Sequence, residues 1–92
     1  MELYELYQKL EKSNEWIKPQ ELKHTRKKIY GMNQLEFSSL LGVRYETYKT
    51  WEQGRYRPSS PAQALLHMAT NYKKIFLKNR EQLLKKIGEV YL

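Results

Sequence analysis

Between Arg44 and Arg57 the chain gathers side chains able to hydrogen-bond charged or heteroaromatic partners: Arg44, Tyr45, Glu46, Lys49, Thr50 and Gln53, then the basic run Arg55-Tyr56-Arg57-Pro58-Ser59. Helical spacing puts Tyr45, Glu46, Lys49, Thr50 and Gln53 on an outward face, while Val43, Tyr48 and Trp51 turn back towards a core. A polar outward face on a basic domain suits the major groove of a duplex, where base edges display donors and acceptors. Glu46 fits equally well as a partner for the positive end of its own helix. Other chemistries lack their parts. The chain has no cysteine, which removes disulfides, thiolate metal sites and cysteine nucleophiles. It has no aspartate, and its two histidines, His24 and His67, are far apart. No Ser/His pair and no phosphate-cradling glycine loop is recognised, so no enzymatic activity, metal or cofactor is expected.

Charge points the same way. The 92 residues carry 17 Lys plus Arg against 10 Asp plus Glu, a net charge of +7. Residues 1–18 sum to −1, and residues 19–60 and 61–92 to +4 each, so the excess lies beyond the first segment. Clustered cations either form a solvated face or meet a polyanion, releasing its counterions. With 40% hydrophobic and 29% charged residues the composition is that of a soluble globular chain. Its length fits one small domain. No apolar run is long enough to span a membrane and no signal peptide is recognised, so a cytoplasmic location is expected by default.

The elements that must position these residues are helical, and no strand is read. Leu3, Leu6, Tyr7 and Leu10, with Trp16 and Ile17 beyond, mark a helix over residues 2–17. Pro19 opens a second, to about Tyr30, ended by Gly31. Asn33 and Glu36 form a capping box for a third, to Leu41, which Gly42 stops. Arg44 to Gln53 makes a fourth, stopped by Gly54. Ser60, Pro61 and Gln63 read as cap, first-turn proline and box partner of a fifth, to about Ala69. In the last stretch Tyr72, Phe76, Leu83, Ile87 and Val90 share one helical face. Two short helices joined by Leu41-Gly42-Val43 are the sequence form of a helix-turn-helix. Ser38 stands where they approach closely, and Phe37 and Leu41 face Tyr48 and Trp51.

These residues carry a resemblance. Asn33-Gln34, Glu36-Phe37-Ser38, Leu41-Gly42-Val43, Trp51-Glu52-Gln53-Gly54-Arg55 and Arg57-Pro58-Ser59 resemble the Cro/C1-type (XRE) helix-turn-helix family. The run from Thr50 to Ser59, with Ala62 to Leu66, is similar to antitoxins of the HigA and MqsA kind. The resemblance covers about residues 19–70. It implies an all-α fold: a five-helix, lambda-repressor-like helix-turn-helix domain with additional N- and C-terminal helices. The domain organisation becomes an N-terminal helix at 1–18, the DNA-binding domain at 19–70, and a C-terminal amphipathic helix at 71–92 that can serve dimerisation. It also implies roles. Arg44, Tyr45, Glu46, Lys49 and Thr50 match positions that reach base edges or flanking phosphates. Gln34, Arg55 and Arg57 match phosphate contacts, and Arg26 matches an arginine paired structurally with Glu52. Base chemistry fits: Arg44 to guanine, Glu46 to cytosine, the Thr50 methyl to thymine. The chain departs from the pattern at Tyr30, which reads as one residue inserted before Gly31, and at Arg44, which stands where a capping Ser or Thr is common. Leu35 and Leu40 are apolar where the family is often polar.

The expected function is a sequence-specific transcriptional regulator of double-stranded DNA, a repressor acting as a homodimer on a palindromic operator. The nearer resemblance implies the antitoxin of a type II toxin–antitoxin pair, with a small basic toxin as partner and the acidic segment 1–18 as its candidate surface. A phage- or plasmid-type regulator without a toxin, and a helical protein–protein adaptor, are the alternatives.

Overall fold

The computed structural model describes residues 16–91 and, before them, Glu2, Tyr4, Glu5 and Gln8; side chains are described as far as Lys86. Over these residues the chain is all-α, without a strand. Helix α1 (Pro19–His24) runs on into a π-helical turn, Thr25–Ile29, followed by α2 (Gln34–Leu41), α3 (Tyr45–Glu52), α4 (Ser60–Asn71) and α5 (Lys73–Tyr91). None of these helices is long and apolar enough to cross a membrane. The helix expected over residues 2–17 lies largely outside the described residues. Its last two positions are not helical: Trp16 is in a bend, and the chain passes through Ile17 to an extended Lys18 before Pro19 opens α1.

The α1 segment does not stay α-helical to Tyr30. Tyr30 donates its N–H to the Thr25 carbonyl, five residues back, at 3.2 Å. A π turn takes up one residue more than an α turn. Tyr30 closes this one. The Asn33–Glu36 capping box is made: Glu36 N–H donates to Asn33 Oδ1 at 2.8 Å, and Asn33 N–H to Glu36 Oε1 at 3.0 Å. Helix α2 ends in a Schellman turn. Gly42 sits at φ 77°, its N–H reaching the Ser39 carbonyl at 3.1 Å, and the Val43 N–H reaching that of Ser38 at 2.9 Å. Gly54 ends α3 with the same pattern. Arg44 starts α3 without a side-chain cap.

The start of α4 differs from the reading of Ser60 and Gln63. Ser59 is the capping position, without a side-chain cap bond, and Ser60 opens the helix. Gln63 does not reach back to form a box; it is buried, and its Oε1 accepts the Ile17 N–H at 3.0 Å. A side chain drawn into the core by a distant backbone donor is lost to its local cap.

The core joins all five helices. Leu22, Phe37, Leu41, Tyr48, Trp51, Leu66, Ala69 and Phe76 form one buried cluster, with Val43 and Leu40 packed at its edge. Phe37 is the hub of its aromatics, 5.1 Å from the Tyr30 ring and 5.7 Å from the Tyr48 ring. Ser38 is 1% exposed, and its hydroxyl donates to the Leu35 carbonyl at 2.9 Å. Phe76 brings the start of α5 into the same core as residues 19–70. Lys73 Nζ donates to the Ile29 carbonyl at 2.7 Å, and Arg80 Nη2 to the Leu41 carbonyl at 3.3 Å, so α5 closes off the ends of the π turn and α2. Of the expected apolar face, Tyr72 precedes α5 and is 56% exposed, and Leu83 is 44% exposed. The side chains of Ile87 and Val90 lie outside the described residues.

Gly42→Ala isolates the cost of the left-handed turn, because no atom lies within 4 Å of the added methyl. The variant is expected to lose about 1–2 kcal/mol, read as a lower urea midpoint at unchanged slope. Gly42→Asn should lose less, since asparagine tolerates this conformation better.

Candidate nucleic-acid interface

The site is built on the α2–turn–α3 unit. Its apolar side is fastened by Tyr48 and Trp51, 0% and 7% exposed. Its opposite side presents the residues read from the sequence. Arg44, Glu46 and Gln53 are exposed; Tyr45, Lys49 and Thr50 are half-buried. Tyr45 and Lys49 are not independent, because the Lys49 ammonium stands 4.4 Å over the Tyr45 ring, one helical turn away. The Thr50 hydroxyl donates to the Thr47 carbonyl at 2.6 Å, which leaves its lone pairs and methyl group for a ligand. Beside this face an open groove is lined by Glu46, Thr47, Thr50, Tyr56, Arg57 and Ser59. The groove thus brings Glu46 and Thr50 of α3 together with Arg57.

Arg55 follows the Gly54 turn, its N–H bonded to the Thr50 carbonyl at 3.0 Å, and its side chain is exposed. Arg57 is exposed too, with its guanidinium carbon 4.8 Å over the Trp16 ring. Pro58 between the loop and α4 is buried. The loop is therefore anchored at both ends and carries two cations outward.

Arg26, in the π turn, pairs with Glu52, the last residue of α3, and so ties α3 to that turn. Arg26 Nε donates to Glu52 Oε2 at 2.7 Å and Nη2 to Oε1 at 3.0 Å, a two-pronged pair with the side chains 8% and 1% exposed. Tyr48 donates its hydroxyl to Oε2, and Gln34 Nε2 donates to Oε1 at 3.1 Å. The remaining guanidinium arm, Nη1, donates to the Met32 carbonyl at 3.0 Å. One carboxylate thus joins the π turn, the first residue of α2 and the last turn of α3.

Burial alone would push the Glu52 carboxyl up. The donors from Arg26, Tyr48 and Gln34, with the Arg26 charge, outweigh it and hold Glu52 below the ordinary value of 4.5. The same bond to Glu52 raises Arg26, against the burial that lowers it. Tyr48 is raised, first by burial and then by its bond to Glu52, and so keeps its proton.

Gln34 is the residue whose place differs most from its reading. It is half-buried, and one amide hydrogen is committed to Glu52 rather than turned outward. Two contributors were not legible as site residues. Tyr48 reads from its spacing as core alone, yet its hydroxyl completes the Glu52 cage. Trp16 reads as part of a helical stripe, yet it lies under Arg57. A tyrosine four residues before a buried glutamate is a local signal for the first; nothing local signals the second.

Glu52→Gln leaves the Arg26 charge buried without its counter-charge and should cost about 3–5 kcal/mol. A carboxyl held below its unfolded value contributes fully above that value and loses its contribution as pH falls through the folded one. The wild-type urea midpoint should therefore fall as pH drops below about 4.5. Glu52→Gln should lack this component of the fall, as a midpoint series from pH 7 to pH 3 will read.

No family model, no curated protein and no solved structure matches this chain.

Proposed function

We propose that this chain is a sequence-specific double-stranded-DNA-binding transcriptional regulator, a repressor, with α3 in the major groove. The observation that carries the reading is the two-sidedness of α3. Its apolar side is locked by Tyr48, Trp51 and the Glu52 cage. Its polar side, opened by Arg44 and Glu46, is left uncovered by the described residues, with the Arg55 and Arg57 cations beside it. A rigid helix with an open polar face, flanked by cations, meets the two demands of duplex recognition, base-edge contact and phosphate anchoring.

Arg44 at the helix start takes a guanine edge, Glu46 a cytosine amino group, and Thr50 a thymine methyl, while Tyr45 and Lys49 act as one unit on a base or the flanking phosphate. Arg55 and Arg57 lie along the sugar–phosphate chain, and Gln34 has its second amide hydrogen for a phosphate. Arg26 and Glu52 hold α3 in place. The regulator works in the cytoplasm and represses by occupying its own promoter. The antitoxin role belongs to the same proposal; residues 1–15, part of its candidate toxin surface, lie mostly outside the described residues. Its check is whether a small basic protein encoded beside this chain co-purifies with it.

Duplexes selected from a random pool by the chain, then titrated against scrambled DNA at two salt concentrations, test the central claim. Equal affinity for both overturns it. Arg44→Ala should lose about 1–3 kcal/mol on the selected site and relax preference at one base position. Arg57→Ala should weaken both duplexes alike and flatten the salt slope by about one unit.

A homodimer on a palindrome, with half-sites about 34–36 Å apart, completes the reading. Support comes from α5, where Ile75, Leu83 and Leu84 are 64%, 44% and 67% exposed. Leu84→Glu should preserve helicity and shift the sedimentation equilibrium from dimer to monomer. A wild-type chain that is monomeric at micromolar concentration removes the dimer from the proposal.

A further inference from the structure

Trp16 lies ahead of α1, outside every residue that the DNA reading invokes. Its ring lies under the Arg57 guanidinium, 4.8 Å from ring centre to guanidinium carbon. Trp16 is half-buried and Arg57 exposed, so the cation's outer side faces solvent. A guanidinium held over a ring keeps the N–H donors turned away from that ring, and a phosphate takes such donors. An unsupported arginine loses rotamer freedom when it grips a phosphate. One already held over a ring has lost part of it on folding. Among the described residues the buried indole N–H of Trp16 has no hydrogen-bond partner. A leucine or phenylalanine would fill the same space without an indole donor to satisfy. The indole face is the strongest of the aromatic faces for a cation.

We propose that Trp16 is a positioning residue. It preorders Arg57 for a backbone phosphate, so that the segment before α1 sets duplex affinity without touching the duplex. This rests on the DNA-binding reading above.

The test is a double-mutant cycle on the full chain, with W16A, W16F, W16L, R57A and W16A/R57A titrated against the duplex selected by the wild type. W16A should bind about two- to tenfold more weakly and should add nothing to the loss already caused by R57A. W16F should recover most of the binding; W16L, apolar but without a ring, should not. If W16A does not fold, W16L against W16F decides. Wild-type affinity in W16L, or losses that multiply in the double variant, would overturn the positioning role and leave the DNA reading intact. A wild-type chain that binds no duplex overturns both.

Discussion

The Glu52 carboxylate is almost wholly removed from water, and the attitude of α3 follows from how that charge is satisfied. An uncompensated buried charge would cost a large part of what a small domain has to spare. Here both oxygens are filled by donors from three places: the Arg26 fork, the Tyr48 hydroxyl and the Gln34 amide. Apolar packing tolerates small rotations of one helix on another. A carboxylate gripped in two prongs by a planar guanidinium tolerates far less. The outward direction of Arg44 and Glu46 is thus governed by a polar contact on the far side of the same helix.

Short-range patterns carried most of what could be read from the chain. The Asn33–Glu36 box, the stops at Gly42 and Gly54, and the burial of Phe37, Leu41, Tyr48 and Trp51 all rest on residues within a turn or two of one another. Departures arise where a distant partner competes. Gln63 leaves its local box because the Ile17 N–H claims its carbonyl. Gln34 turns one hydrogen to Glu52 and not to solvent. The π turn at Thr25–Ile29 has no local signature in the sequence. The stacking of Trp16 under Arg57 has none either, because two residues so far apart in sequence meet only once α1 and the loop before α4 are packed.

Helix α5 shows the same limit from another side. The sequence sets residues 71–92 apart as an amphipathic appendage. In the fold its first turns are integral: Phe76 is 1% exposed, and Lys73 and Arg80 reach carbonyls at the ends of the π turn and α2. Those carbonyls lie where helix dipoles are negative, so the two cations also answer a local charge. Beyond Arg80 the helix leaves this shared core, and Leu83 and Leu84 stand exposed.

Glycine turns bracket α3 closely, and that spacing has an informational consequence. Eight residues of helix are about 12 Å long, roughly four steps of a B-form ladder. A reader of that span, however well its side chains match, singles out about one position in a few hundred of random sequence. On the proposed function, genomic addressing by a lone copy is therefore too coarse. Selectivity would have to come from pairing two such short words at a set separation, a vocabulary that the length of α3 alone keeps small.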